Sequence, residues 1–334
     1  MSAALSYPVR TPAWILTYAG VNITADVTSM VETIVYESHE QHLADEVQVT
    51  LEDRDGRWQG PWFPAYGDVV TLQIGYANEP MLPCGSFQVD EIELEGPPDA
   101  VHLRCIAAGI TPALRTPTSA RFEGQTLAQI AATVAARHGF TVIHATAASS
   151  LILSRVTQRQ ETDLQFLRRL ANAYNYDFSV RGTQLIFYPR TALEGVPAVL
   201  ALQRTDLINF AFKGKTSQIY QAAQVSYQNP LTKTLISQTV TDATVLTGDT
   251  LNLAERSESP SDALARAAAL LHRHNMLQAT MRLTMPGTTT LVAGNNVTLQ
   301  GFGQNDGTYL VTAARHRLER SSGYITEAEG RKLS

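Results

Sequence analysis

A helix that runs directly into a β-hairpin, predicted for residues 162–189, constrains the fold of this chain more than any other segment. Thr162 and Gln165 have the spacing of a capping box, and Asp163 complements the positive end of a helix. Apolar residues then recur at helical spacing, at Leu164, Leu167, Ala171 and Tyr174. After Asn175 the period changes to two, and the Gly182 turn precedes a second strand, TQLIFYP. The segment therefore predicts a helix packed against a hairpin.

The same helix design occurs once more upstream, in TLAQIAATVAARHGF at 126–140. Thr126 and Gln129 form a second capping box, and Gly139 suits the left-handed position that ends a helix. One face carries apolar residues at helical spacing, namely Leu127, Ile130, Ala131 and Val134. Residues 116–190 are therefore predicted to form a small α/β module of two helices plus a hairpin.

Residues 1–115 are predicted to form a first antiparallel β-barrel. In DVVTLQIGY at 68–76, Val70, Leu72 and Ile74 alternate with the residues between them, as in a half-buried strand. Further strand-like stretches lie at 47–51, 86–96 and 100–109, and GPPD at 96–99 predicts a turn between the last two. Short strands separated by turn signals are typical of a barrel or sandwich.

Residues 191–334 are predicted to form a second β-barrel with one inserted helix. Ser259 and Pro260 mark the start of that helix, and Leu264, Ala268 and Leu271 are predicted to be its buried face. Alternating strands followed by glycine-bearing loops in both β regions indicate a duplication. The predicted fold class is α+β, mainly β, with two antiparallel β-barrel domains that flank the α/β module.

Composition narrows the class of function. Charged residues make up 17% of the chain, below the roughly 25% that is typical of soluble domains, so we expect neighbouring subunits to cover part of the surface. The alternative is an exposed surface rich in uncharged polar residues, namely Thr, Gln, Asn and Ser. The net charge is −5 and no basic stripe is present, which argues against a site that holds DNA. No signal peptide or membrane span is predicted, so we expect a soluble protein with no membrane anchor, made in a reducing compartment.

Neither cofactor nor metal is predicted. His39 and His42 in SHEQH are the strongest metal candidates, but they lack the Glu-bearing zinc register and a third ligand. Cys84 and Cys105 are predicted to be buried thiols. The glycine-rich GFGQNDG at 301–307 lacks the Lys-Ser/Thr ending of a phosphate-binding loop, and its Asn-Asp-Gly favours a hairpin turn.

No catalytic residue is assigned either. Glu161 and Asp163 lie on either side of a predicted helix start, where acids usually complement the dipole and stay solvated. A sugar-cleaving pair would need burial and a shifted pKa, which the sequence does not reveal. Glu123 is a third carboxylate to be tested in that role.

At this point the residues resemble a known family. QETDLQFLRRLANAYNYDFSVRGTQLIFYP at 160–189 is similar to an element of phage tail baseplate hub proteins of the late control D group. The N-terminal hub half of type VI secretion VgrG spike proteins has a similar element. Four further segments resemble the same family in the same order, at 44–58, 66–76, 84–109 and 290–326.

The resemblance implies a homotrimer in which each chain supplies two tube-like barrels, so that the ring imitates a six-fold tube. The implied partners are a tail spike protein, a tail tube or tube-initiator protein, a tape measure protein and baseplate wedge proteins. DNA would pass through the lumen without specific binding. The implied location is the tail baseplate of a virion, or a phage-tail-like particle, assembled in the host bacterial cytoplasm.

The expected role is therefore structural and not enzymatic. The alternatives from other classes are a cell-wall-degrading or carbohydrate-binding tail component, and a metal-dependent enzyme that uses His39 and His42. Because the chain ends at Ser334 shortly after the second β region, we expect the spike to be a separate polypeptide.

Overall fold

One β-sheet extends through most of the molecule in the computed structural model, which describes residues 10–40, 44–107, 112–143, 151–228, 233–253, 257 and 259–333. The sheet has 13 strands, and three smaller sheets of two or three strands accompany it. The described chain is therefore mainly β with a helical minority, as the sequence predicts.

The first β region contributes seven strands and one short helix. These are β1 (Pro12–Tyr18), β2 (Val21–Asn22), α1 (Thr24–Val27), β3 (Val31–His39), β4 (Glu46–Glu52), β5 (Val69–Tyr76), β6 (Leu82–Glu95) and β7 (Ala100–Ala107). Val70, Leu72 and Ile74 are buried, which confirms the predicted alternation. The turn at 96–99 joins β6 to β7, also as predicted.

The middle of the chain forms the α/β unit. Its elements are β8 (Thr118–Thr126), α2 (Leu127–Arg137), β9 (Thr141–Ile143), β10 (Ile152–Glu161), α3 (Asp163–Tyr174), β11 (Tyr176–Arg181), β12 (Gln184–Pro189) and α4 (Thr191–Glu194). Both predicted capping boxes are confirmed, because the Thr126 and Thr162 hydroxyls accept from the backbone N–H three residues on. Gly139 has a φ of 67°, the left-handed conformation predicted after α2.

The last region returns to strands. Its elements are β13 (Leu200–Gln203), β14 (Asn209–Gly214), β15 (Tyr220–Gln228), β16 (Leu235–Thr241), β17 (Asp249–Leu253), α5 (Pro260–Asn275), β18 (Ala279–Pro286), β19 (Asn296–Gln300), β20 (Gly307–Glu319) and β21 (Gly323–Lys332). Strands β15, β16 and β17 form a separate small sheet that packs on α5.

The two β regions have the same strand order. The first runs β3-β4-β7-β6-β5-β1, and the second runs β14-β18-β21-β20-β19-β13. When the six strands in each of these two series are numbered along the chain, both series give the same permutation, which agrees with the duplication that the sequence indicates. One pair differs in direction, since β1 and β5 are antiparallel whereas β13 and β19 are parallel.

A direct strand pair joins the two regions. The second half of β20 is antiparallel to β3, from Ala313 opposite His39 to Glu319 opposite Thr33. Each region nevertheless has its own cluster of buried apolar residues. Two closed barrels stay a prediction, because strands of both β regions belong to one continuous 13-stranded sheet.

Two predicted helix faces need correction. In α5, Leu264 and Ala268 are exposed, and the buried face is Ala263, Ala267, Leu270 and Leu271. Leu271 is therefore buried as predicted, and the other buried positions lie one residue earlier than expected. Ala263, Ala267 and Leu270 share a helix face with Leu271, and this face packs against the sheet of β15, β16 and β17. In α3, Leu167, Ala171 and Tyr174 are buried as predicted, whereas Leu164 is only partly buried and the core also takes Phe166 and Leu170.

Candidate functional site

One face of the long sheet is polar from β14 to β1, and it is the most extended candidate surface of the molecule. The opposite face carries the two apolar cores, because residues alternate along every strand. On the polar face, arginines and glutamates pair between neighbouring strands. The pairs are Arg315 with Glu37 at 3.0 Å, Arg104 with Glu46 at 2.8 Å, and Arg282 with Glu329 at 2.9 Å.

These cross-strand pairs balance the charge of the face. Burial opposes ionisation of Glu46, but hydrogen bonds from Arg104 and Gln48 outweigh it, so the pKa of Glu46 lies below its ordinary value. The same bond from Arg104 to Glu46 raises the pKa of the guanidinium. Both groups are therefore charged at neutral pH and satisfy each other. Where the charges are paired in this way, the face attracts neither polyanions nor polycations strongly.

The apolar side of the strand joint contains a buried histidine. His316 on β20 lies opposite Tyr36 on β3, and their rings stack with centroids 5.8 Å apart. Its Nε2 donates to the Leu291 carbonyl at 2.8 Å, and its Nδ1 accepts from the Tyr324 hydroxyl at 2.8 Å. Burial lowers the pKa of His316 to about 4. Alternation with Ala314 and Leu318 in the sequence places His316 on a strand face but gives no sign of these partners.

Each of the three candidate carboxylates has its own hydrogen-bond or ion-pair partner. Glu161 receives two hydrogen bonds from Arg169, and Glu123 lies exposed beside Arg121. Asp163 is buried, which corrects the expectation that it is solvated. Its oxygens accept from His138, Gln158 and Arg137, at 2.7, 2.8 and 3.2 Å. The carboxylate thus ties the start of α3 to the end of α2 and to β10.

Of the two candidate metal ligands, His39 and His42, the structure describes only His39. His39 ends β3 with its Nε2 3.7 Å from Glu37, while His42 lies outside the described residues. Within the described ranges, no three His, Cys, Asp or Glu side chains are grouped as metal ligands would be. His272 instead contacts Glu194 at 2.9 Å, and His274 packs on the ring of Tyr220.

Both cysteines are buried and unpaired, as predicted. Burial raises the pKa of Cys105 to about 12 and raises that of Cys84 as well, so neither is a reactive thiolate at neutral pH. GFGQNDG connects β19 to the antiparallel β20, which confirms the predicted hairpin. Among the helices of the described ranges, none has the length and hydropathy to span a bilayer.

Sequence reasoning missed a buried ion pair in the α/β unit. Arg190 Nε donates to Asp177 Oδ1 at 2.9 Å, and both side chains are almost fully buried. Desolvation raises the pKa of Asp177, and the charge of Arg190 works against that rise. Alternation along β11 puts Asp177 on the face opposite Tyr176 and Phe178, a position that usually means solvent. Nothing in the sequence pairs it with a residue 13 positions later.

Comparison with protein families gives one match that covers most of the chain. Residues 67–322 match the family described as phage tail baseplate hub (GPD). The probable baseplate hub protein of Escherichia phage 186 is 29% identical over 176 residues. That alignment covers 53% of this chain and 44% of the phage protein, so this chain spans less than half of the curated relative.

Solved structures show the same fold at low identity. The 43 kDa tail protein of prophage MuSo2 from Shewanella oneidensis superimposes with a TM-score of 0.74 at 15% identity, over 97% of this chain and 99% of that one. An E. coli component of the type VI secretion system, described as structurally similar to T4 bacteriophage tail proteins gp27 and gp5, has a TM-score of 0.56 at 14% identity. It is covered over 74% of its length, and this chain over 91%.

Proposed function

The chain belongs to the phage tail baseplate hub (GPD) family, and from this premise we propose that it forms a trimeric ring between a six-fold tail tube and a three-fold central spike. The observation that carries the proposal is the repeated strand order of the two β regions. Because each chain holds two similar β units, three chains present six of them, which matches a six-fold partner on one side. The chain itself repeats three times, which matches a three-fold partner on the other.

The proposed ring needs each β unit to act as a tube-like barrel. We assign residues 1–115 to the first barrel, 116–190 to the α/β module and 191–334 to the second barrel. Separate apolar clusters in the two β regions and in the α/β unit support this division. The direct pairing of β3 with β20 supports the idea that the two barrels are neighbours in one wall.

The partners follow from the position of such a ring. A tail tube or tube-initiator protein and the tape measure protein would lie above it, the spike protein below it, and baseplate wedge proteins around it. The likeness of the E. coli type VI component to T4 tail proteins supports a place in an injection machine of this kind. The ring would reside in the tail baseplate of a virion or phage-tail-like particle, after assembly in the host bacterial cytoplasm.

The polar sheet face is the surface we assign to the lumen. Its arginines Arg315, Arg104 and Arg282 are paired with glutamates across the strands, which lowers the free positive charge that passing DNA would meet. Non-specific DNA binding depends on Lys and Arg that neutralise phosphates, and paired arginines serve that purpose poorly. The role is structural, with genome passage and tail assembly as its outcome.

Mass in solution tests the ring. Sedimentation of the purified chain is expected to give three times the chain mass of 36.5 kDa, and its complex with the spike or tube partner is expected to contain three copies of the chain. Negative-stain images of that species should show a ring with three-fold symmetry. A chain that stays monomeric with both partners would contradict the proposal.

A lysis assay separates this role from the wall-degrading alternative. The purified chain is expected to leave isolated peptidoglycan intact, since Glu161 and Glu123 pair with exposed arginines and Asp163 is part of a buried network. If the chain clears peptidoglycan and Glu161→Gln, Asp163→Asn or Glu123→Gln abolishes the clearing, the structural role is wrong.

A further inference from the structure

The repeated strand order makes the two β regions comparable strand by strand. Strand β3 of the first region corresponds to β14 of the second, and β6 corresponds to β20. The joint inside the chain pairs β3 with the second half of β20. The corresponding strands, β14 and the second half of β6, are therefore the two halves of an equivalent joint that one chain cannot make with itself.

Backbone details align the two regions residue by residue. Val89 of β6 exchanges hydrogen bonds with Gly67 and Asp68, at 2.8 and 3.0 Å. Val311 of β20 makes the same two bonds to Gly294 and Asn295, at 2.8 and 2.9 Å. Both glycines have a φ near 90°, a conformation that favours glycine, and they open the similar sequences GDVVTLQ (67–73) and GNNVTLQ (294–300).

A β-bulge follows at the same point in each region, between Val89 and Glu91 and between Val311 and Ala313. Counting on from the bulge equates Ile92 with Ala314. The strand registers then carry the alignment across each sheet to β3 and β14. In the first region the path is Ile92, Leu103, Val49, Ile34, and in the second it is Ala314, Ala328, Leu283, Phe210.

The strands of the equivalent joint have open edges. Among the described residues, β14 pairs with β18 on one side and has no strand on the other. The pairing of β5 with β6 ends at Gln88, so residues 90–95 of β6 pair only with β7 within the described chain. Leu94 in this half-strand is 45% exposed, although it points to the side of the sheet that carries the core. Such an edge invites another strand.

We propose that β14 of one copy pairs antiparallel with residues 91–95 of β6 in the next copy, so that the contact between chains repeats the β3–β20 joint within a chain. The alignment sets the register, with Phe212 opposite Leu94, Lys213 opposite Glu93 and Lys215 opposite Glu91. This inference rests on the proposed ring and names the surface that closes it.

The side chains on both faces fit that register. On the core face, Phe212 would cover the exposed Leu94, as Tyr36 covers His316 within the chain. On the polar face, the bond from Arg315 to Glu37 at 3.0 Å corresponds to Glu93 with Lys213, with the signs exchanged. The half-strand DEIELE at 90–95 is acidic and FKGK at 212–215 is basic. The two edges therefore attract each other, whereas two acidic edges or two basic edges repel.

The contact is heterologous, because it joins different strands of the two copies. Heterologous contacts form a ring when the rotation between copies closes and a filament when it does not. Here the intramolecular joint and the proposed intermolecular joint are equivalent, so the β units alternate around a ring with similar steps. Closure after three chains would leave no open edge at β14 or at β6.

Disulfide trapping tests the joint. Opposite residues of antiparallel strands have Cβ atoms roughly 4.5–5.5 Å apart, near enough for a cross-strand disulfide after a small shift. We expect Glu93→Cys/Lys213→Cys to form covalent dimers and trimers on mild oxidation, with no larger product, and the products should vanish on reduction. Both positions are exposed, and the buried native cysteines are the same in every variant.

The matched control is Glu123→Cys/Lys213→Cys, which moves one thiol to an exposed strand residue of the α/β unit and should give no trimer. Circular dichroism confirms that each variant is folded. A ring trimer whose thiols at 93 and 213 stay free would overturn the joint and leave the proposed hub ring standing. A chain that is monomeric with its spike and tube partners would overturn both.

Charge exchange gives an independent measurement. Glu93→Lys and Lys213→Glu should each weaken trimer formation roughly tenfold at low salt, because each puts like charges opposite each other. The double exchange should restore the affinity to about that of the original chain. If both single variants trimerise as well as the original chain, or the double variant as poorly as the singles, the register is wrong.

Discussion

Charged pairs of the same chemical type lie in two different surroundings in this molecule. In the α/β unit, Arg190 and Asp177 are 1% and 2% exposed and 2.9 Å apart. On the polar sheet face, Arg282 and Glu329 lie at least as close, with N–O distances of 2.9 and 2.6 Å, but are 73% and 53% exposed. Distance alone would give the exposed pair at least as much weight as the buried one.

Burial decides what each pair does. Removing one member of a buried pair leaves the other charge without a partner and lowers the free energy of unfolding by about 3–5 kcal/mol. An exposed pair contributes about 0–1 kcal/mol. The buried pairs therefore fix the shape of the α/β unit. The exposed pairs adjust the charge of a surface.

The largest effect is expected when a charge enters the core with no partner at all. Leu167 on α3 is fully buried, so Leu167→Asp should lower the free energy of unfolding by about 4–5 kcal/mol or leave the chain insoluble. Leu246→Asp is the control, because Leu246 is 83% exposed and should tolerate the same change. Urea unfolding measures both. Equal stability of the two variants would mean that the buried face of α3 is assigned wrongly.

The second-largest loss of stability is expected when the buried pair of Arg190 and Asp177 is broken. Arg190→Met keeps much of the side-chain volume but leaves the Asp177 carboxylate without its guanidinium, and should cost about 3–5 kcal/mol in urea unfolding. Arg190→Met/Asp177→Leu removes both charges and should recover most of that loss, since apolar groups of similar volume replace buried ion pairs well. A single variant that loses less than about 1 kcal/mol would place this pair in the exposed class.

Local signals made the helices and hairpins predictable from the sequence. Capping boxes at Thr126 and Thr162 depend only on residues three apart, and the hairpin of β11 and β12 depends on one turn. The fold class and the division into β, α/β and β regions follow from changes of period along the chain. These features need no knowledge of distant contacts.

The contacts between distant residues were not predictable. Asp163 was expected to be solvated. Its burial could not be predicted, because it depends on a contact with His138, 25 positions earlier. The joint of β3 with β20 links residues nearly 280 positions apart, and neither strand carries a sign of its partner. The face of α5 was partly misassigned, because residues 263, 267 and 270 follow the same helical spacing as residues 264, 268 and 271. Only packing against the sheet of β15, β16 and β17 separates the two sets.

His316, buried and neutral at the joint of β3 and β20, predicts that the free energy of unfolding depends on pH, with an effect of intermediate size. The pKa of His316 is about 4 in the folded chain and roughly 6.5 in the unfolded one, so between these values the unfolded chain binds the extra proton. The stabilisation is complete above about pH 6.5 and is lost as the pH falls toward 4, at about 1.4 kcal/mol per pH unit.

Urea unfolding at several pH values measures this slope. His316→Gln should flatten it between about pH 6.5 and 4, because the amide does not titrate there. His102→Gln is the control, since His102 lies on the polar face and is about a third exposed. A slope that His316→Gln leaves unchanged would show that the joint histidine is not the group that titrates.

The smallest loss of stability is expected on the polar sheet face. Glu329→Gln keeps the shape of the side chain and removes its charge, and should cost less than about 1 kcal/mol, with even less at high salt because exposed pairs are screened. Asp163→Asn makes the equivalent change in a buried network and should cost about 2–4 kcal/mol regardless of salt, because His138, Gln158 and Arg137 all bond that carboxylate. Equal losses in the two variants would mean that burial does not separate the two classes of pair, and the polar face would then be a structural element and not an adjustable surface.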